Sequence, residues 1–286
     1  MKSDILCVEL VQDIQRALRN GRPIEQTVGG LRQASLPGIM EYGCLRWSNR
    51  KIVPPLPPAI VSSPLGIALQ EVRSELGLRQ RGGDKVPPRD TRSREFEFFL
   101  VAQEADVVNQ LFGEYVLRFD FAAKRIGLPE KTADHLQAAL HEMAANAVTH
   151  AKAPIPALIG YEVRGHTATF CVVDVGIGVL ESLHSNPAYR QLSVHSEAIR
   201  TALQDHVSCV VGDFSRGNGF RSVFKSLVEQ YGDLRFRSGE GCVRMHGMDL
   251  DADKGKELRS LPYLPGFQVA VSCRTRPPSS RRMAQS

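Results

Sequence analysis

Leu140-His141-Glu142-Met143-Ala144-Ala145-Asn146-Ala147-Val148-Thr149-His150 lies in a stretch whose apolar residues recur at helical spacing. Four-residue steps put Glu142, Asn146 and His150 on one stripe of that helix. Leu136, Leu140, Met143 and Ala147 form the opposite, apolar stripe. The amide oxygen of Asn146 suits a hard cation. The Glu142 carboxylate, one turn earlier, can orient or deprotonate a nucleophile. Taken alone, the pattern also fits any amphipathic helix with a solvated polar face, so its meaning depends on the downstream residues.

Two glycine motifs lie there. The β-branched run Cys171-Val172-Val173 leads into Asp174-Val175-Gly176-Ile177-Gly178, an Asp-x-Gly-x-Gly at a strand end. Glycine there permits positive φ and lets backbone approach a ligand closely. Further on, Ser215-Arg216-Gly217-Asn218-Gly219-Phe220 opens an amphipathic helix over residues 221–231. Free N–H groups at a helix N-terminus favour phosphate oxygens. Arg216 precedes them, and Arg221 and Lys225 lie on the helix itself.

The order and spacing of these three elements resemble the N box and the two glycine boxes of the GHKL superfamily of gyrases, chaperones, histidine kinases and mismatch-repair proteins. Glu-x-x-x-Asn-Ala-x-x-His with Gly-x-Gly-Phe looks most like the small bacterial anti-sigma-factor serine kinases. The resemblance spans about residues 95–273. It implies an α+β fold: a two-layer α/β sandwich of the Bergerat type, with a mixed, mainly antiparallel sheet covered by helices. It implies ATP and Mg²⁺ as ligands. Asn146 would hold the metal and Glu142 would act as general base. Asp174 would accept a hydrogen bond from the exocyclic amine of adenine, with Gly176 and Gly178 giving the ring room. Gly217, Gly219 and Arg216 would meet the phosphates. His150 matches the family's helix-end histidine, which either contacts nucleotide or caps the helix C-terminus.

The flanking sequence narrows the family. His135 is the first histidine of the chain. A histidine kinase needs a phosphoacceptor histidine upstream of the N box, and none stands among these residues. Only about forty residues come after the strands beyond the second glycine box, too few for the lysine-supplying domain of gyrase-type proteins. The output is therefore expected to be a protein interaction: ATP hydrolysis or phosphorylation of a partner's serine or threonine, in a homodimer. The alternative is a non-catalytic ATP sensor whose 179–216 lid orders on nucleotide binding and controls docking.

Bulk properties set outer bounds. With 286 residues, 42% of them hydrophobic, the chain can build one sizeable core and an appendage. A net charge of +5, from 36 basic and 31 acidic residues, does not argue for nucleic acid, and no aromatic-basic platform interleaves. No apolar run approaches membrane-span length, and the N-terminus lacks a signal peptide's apolar stretch. The six scattered cysteines, without Cys-x-x-Cys, read as reduced thiols of a cytoplasmic protein.

Residues 1–80 read as a helical N-terminal region of unassigned role. A helix is expected over residues 4–19, a second helix and a short strand near Cys44–Trp47 within residues 24–48, and an extended proline-rich run from Ile52 to Leu65. Helix returns over residues 64–76. Residues 81–94 are polar, basic and punctuated by Gly and Pro, and read as a linker. Residues 95–273 are then expected to fold alone. They would contribute a strand at 96–101, helices at 105–126 and 129–151, a hairpin turning at Gly165-His166, a short helix at 196–204, and strands at 234–238, 242–245 and 267–272. A charged insertion (249–259) and a basic tail (274–286), expected to be disordered, complete the reading.

Overall fold

A computed structural model describes residues 4–80, 95–204, 232–246 and 259–275. The expected linker, the second glycine box with its helix, the charged insertion and nearly all of the basic tail lie outside the described residues.

The N-terminal region is mostly helical. Two short strands, β1 (Ile5–Leu6) and β2 (Gln33–Ala34), pair in parallel among helices α1 (Val8–Arg19), α2 (Glu25–Gly29), α3 (Leu36–Ser48), α4 (Pro58–Val61) and α5 (Pro64–Gln80). The strand expected around Cys44–Trp47 is instead the end of α3. Ser35 starts that helix by accepting a hydrogen bond from the Gly38 N–H (3.2 Å), with Pro37 in its first turn. Once nucleated there, the helix runs through Cys44 and Leu45, whose side chains are buried.

The remainder is β3 (Phe96–Val101), α6 (Glu104–Val107), α7 (Gln110–Arg125), α8 (Glu130–Thr149), β4 (Ala157–Arg164), β5 (Thr167–Val173), α9 (Gly178–Leu183), α10 (His195–Ala202), β6 (Asp233–His246) and β7 (Arg259–Arg274). The five long strands form one sheet in the order β3-β4-β5-β7-β6, with every neighbouring pair antiparallel. The sheet expected to be mixed is thus antiparallel throughout its described extent. The two strands expected at 234–238 and 242–245 are one, β6. It continues through register shifts at Gly239 and Gly241, where the ladder tolerates extra residues.

Strand alternation assigns the two faces of the sheet. Ala157, Ile159, Tyr161 and Val163 of β4, with Phe170 and Val172 of β5, face α7 and α8. There Tyr115 and Phe119 pack on Tyr161 at ring separations of 5.3 and 5.2 Å, within the range of favourable aromatic pairs. On the opposite face, Phe98, Cys171, Val173 and Leu264 share a core with Leu6, Val11, Leu36, Ile39, Leu45 and Val72 of the N-terminal region. The α+β sandwich therefore has a third layer. The expectation that residues 1–80 form an appendage meets a different arrangement: they cover a sheet face that would otherwise present apolar side chains to water.

An ionic cluster joins this layer to the sheet. Glu41 of α3 is buried and takes both Arg235, through a bidentate pair (2.5 and 3.1 Å), and Arg237 of β6. Arg237 is fully buried and also donates to Gln15 of α1 (2.8 Å) and to the carbonyl of Pro262 (2.6 Å). No helix among the described residues is long and apolar enough to cross a membrane.

Candidate functional site

Helix α8 packs by the predicted stripe: Leu136, Leu140, Met143 and Ala147 are buried in the core against the sheet. This leaves Glu142 and Asn146 half-buried on the other side, one turn apart. Neither side chain makes a hydrogen bond or ion pair among the described residues. His150 is the C-cap residue, and its backbone N–H donates to the Asn146 carbonyl (3.1 Å). His141 points elsewhere, with its ring against Phe112 and its Nε2 3.1 Å from the Val107 carbonyl.

The chain leaves α8 through Ala151, and there it meets the glycine turn at the end of β5. The Ile177 N–H donates to the Ala151 carbonyl (2.8 Å). Gly176 lies so close that a Cβ at this position would overlap the same carbonyl oxygen. Gly178 has φ +78°, and a Cβ there would come within 2.8 Å of Ser238 Oγ. Two segments singled out in the sequence, more than twenty residues apart, are thereby brought together: the end of the Glu142–Asn146–His150 helix and the Asp174–Gly178 turn.

Asp174 is the electrostatic centre of the turn. It is 3% exposed. Its Oδ1 accepts from the Gly176 N–H (2.7 Å), as an aspartate does in an Asx turn, and its own N–H donates to the Phe267 carbonyl (3.0 Å). Oδ2 is buried and meets no hydrogen-bond partner among the described residues. Burial pushes the carboxyl pKa up to about 7, against the hydrogen bonds from Gly176 and Phe267 that favour the anion. A buried acceptor in this condition calls for a physical explanation, and a ligand N–H is one that fits.

Three further residues hold the turn, and the sequence reading assigned none of them. Ser238 Oγ donates to the Gly266 carbonyl (2.8 Å) and accepts from the Val179 N–H (2.9 Å), joining the start of α9 to β6 and β7. Gly266, at φ +75°, lies against the Asp174 backbone. Gln268 Nε2 donates to the Pro265 carbonyl (2.9 Å) and, at 3.5 Å, to the Asp174 carbonyl. All three come from strands far along the chain. The one available signal was Gln268, a polar residue inside Phe267-Gln268-Val269-Ala270-Val271.

Of the expected lid, Leu180, Leu183 and Ala198 form a small core of their own. His184 Nε2 lies 2.8 Å from the Leu192 carbonyl, and the His195 ring meets Tyr263 edge-on. Arg216, Gly217 and Gly219 lie outside the described residues.

The Asn146 amide oxygen and the Glu142 carboxylate are the two oxygen donors this helix face offers a hard cation. No group of three or more His, Cys, Asp or Glu side chains is poised for a metal among the described residues. Asn146 and Glu142 would be joined by ligand oxygens and water, which is how Mg²⁺ is commonly held beside a nucleotide. No protein-family model and no curated protein matches the chain.

Proposed function

We propose that this protein is a regulatory protein of the GHKL type that binds ATP with Mg²⁺ and either hydrolyses it or transfers its γ-phosphoryl group to a serine or threonine of a protein partner. One observation carries the reading: the buried Oδ2 of Asp174, without a partner among the described residues, in a glycine turn pressed onto the end of the helix that bears Glu142 and Asn146. Asp174 accepts from the 6-amino group of adenine. Asn146 holds Mg²⁺, which supplies charge neutralisation at the phosphates. Glu142 orients or deprotonates the attacking hydroxyl or water. Gly217, Gly219 and Arg216 serve the phosphates. We read the protein as a cytoplasmic homodimer of Bergerat-type fold whose partner binding depends on nucleotide.

A second reading, a non-catalytic ATP sensor, is favoured by the neighbourhood of Ser238. The residue before it, Arg237, is held by Glu41 and Gln15 of the N-terminal layer, while Ser238 itself holds the glycine turn. Occupancy of the turn and docking of that layer would then be linked through one dipeptide.

Turnover separates the two readings. Glu142→Gln is expected to bind Mg·ATP like wild type and to turn it over about 10²–10⁴-fold more slowly, the usual contribution of a positioned base. Asn146→Ala is expected to lose the Mg²⁺-dependent part of ATP affinity. Equal turnover in wild type and Glu142→Gln removes the catalytic role. Absence of turnover in wild type with its partner present selects the sensor.

A further inference from the structure

Helix α7 carries large apolar side chains on the side that faces water. Its core side, with Phe112, Tyr115, Val116 and Phe119, is buried against the sheet. The opposite side should then be polar. Instead, Leu117 is 57% exposed and Phe121 is 73% exposed. Steps of three and four residues align Gln110, Glu114, Leu117, Phe121 and Arg125 along this outer side, and all five are exposed.

The charges on the stripe are ordered. Glu114, toward one end, accepts from Gln110 Nε2 (2.8 Å) and makes no ion pair among the described residues. Arg125, at the other end, makes none there either. The neighbouring cations are engaged: Lys124 by Asp120 (3.0 Å) and Asp134 (2.8 Å), and Arg118 by Glu97 (2.8 Å). The stripe thus reads acid, leucine, phenylalanine, base. The midpoint of Glu114 and Arg125 and that of Leu117 and Phe121 nearly coincide, at residues 119–120. Such a stripe is complementary to itself turned end for end. Two copies laid antiparallel about a two-fold axis at that midpoint set Leu117 of each on Phe121 of the other, and Glu114 of each against Arg125 of the other. Laid parallel, they set like charge on like.

We propose that the outer side of α7 is a two-fold interface with a second copy of this chain, in which the two α7 helices meet antiparallel through Leu117 and Phe121 and Glu114–Arg125 pairs close both ends. The inference rests on the homodimer of the proposed function and gives it a surface and an orientation. A helix of 16 residues is about 24 Å long. The shared face therefore lies at the small end of specific interfaces, and the dimer exchanges readily. Exposed ion pairs contribute little attraction. Here they select the orientation, because the wrong one brings like charges together.

Sedimentation equilibrium of the full chain, without nucleotide, tests the interface. Wild type is expected to dimerise at micromolar concentration. Glu114→Arg and Arg125→Glu each put like charges at both ends of the interface, and each alone is expected to weaken the dimer about tenfold. An equimolar mixture of the two variants is expected to recover wild-type association, because each end of the mixed dimer then holds one acid and one base. The double variant Glu114→Arg/Arg125→Glu is expected to dimerise with itself, and it replaces the mixture if circular dichroism shows a single variant unfolded. A wild type that stays monomeric overturns the interface and the homodimer together. A dimer indifferent to both single variants, or one that neither the mixture nor the double variant restores, overturns the antiparallel face alone. No outcome involves ATP, so the nucleotide reading is judged separately by its own titration.

Discussion

Asp174 concentrates the physical tension of the molecule in one side chain. Its pKa, pushed up to about 7 by burial, lies far above the ordinary aspartate value. Between those two values the folded state binds a proton that the unfolded state does not. The stability this contributes is fully present below the unfolded pKa and is lost as pH rises through about 7. Asn at this position keeps an oxygen for the Gly176 N–H and cannot ionise. Wild type is therefore expected to lose about 1 kcal/mol of stability relative to Asp174→Asn between pH 6 and pH 8. Urea titrations of both proteins at the two pH values measure the difference. Parallel pH profiles would show that the carboxyl is not buried as described. At this scale the sequence was legible for the close turn at Asp174, Gly176 and Gly178, because a local motif carries its own backbone geometry. It was silent on Ser238 and Gln268, whose roles arise only when β6 and β7 are laid beside β5.

Among the elements, α8 and α3 teach different lessons. The periodicity of α8 announced both its buried stripe and the half-exposed Glu142 and Asn146, because one helix face meets one sheet. The end of α3 reads as a strand around Cys44–Trp47, because short apolar runs do not separate a buried helix from a strand. Its start signal, Ser35 with Pro37 two residues on, was the better guide. The function of α3 depends on Glu41, which no motif marks. Glu41 is the shared counter-charge of two buried arginines, and its removal leaves both uncompensated. Glu41→Gln is expected to cost about 3–5 kcal/mol, which lowers the melting temperature by on the order of 10 °C in a chain of this size. A melting temperature within a degree or two of wild type would show that the cluster is not what fastens the N-terminal layer to the sheet.

For the whole molecule, the sequence predicted a self-sufficient unit beyond residue 95, and the packing argues otherwise. Composition marks the polar stretch over residues 81–94, but it cannot reveal that the segments on either side share one core. Residues 4–72 cover Phe98, Cys171, Val173 and Leu264 on one face of the sheet and satisfy Arg235 and Arg237. A chain beginning near Ser93 is accordingly expected to be insoluble or to lack cooperative unfolding, as solubility and thermal melts will show. A soluble, cooperatively melting fragment would restore the two-part reading. The antiparallel sheet with α7 and α8 on one face was legible, since each strand and helix carried its own period. The third layer was not, because nothing local tells which surface an amphipathic helix such as α1 will cover.

The central claim is that the glycine turn after β5 is an adenine pocket read by Asp174. Calorimetric titration of Mg·ATP into wild type and Asp174→Asn tests it most directly. Asn presents an N–H where the carboxylate offered an acceptor, so binding is expected to be saturable in wild type and weaker by roughly 1.5–3 kcal/mol in the variant, with its fold intact. Equal affinity in the two proteins, or no binding by wild type, would contradict the account.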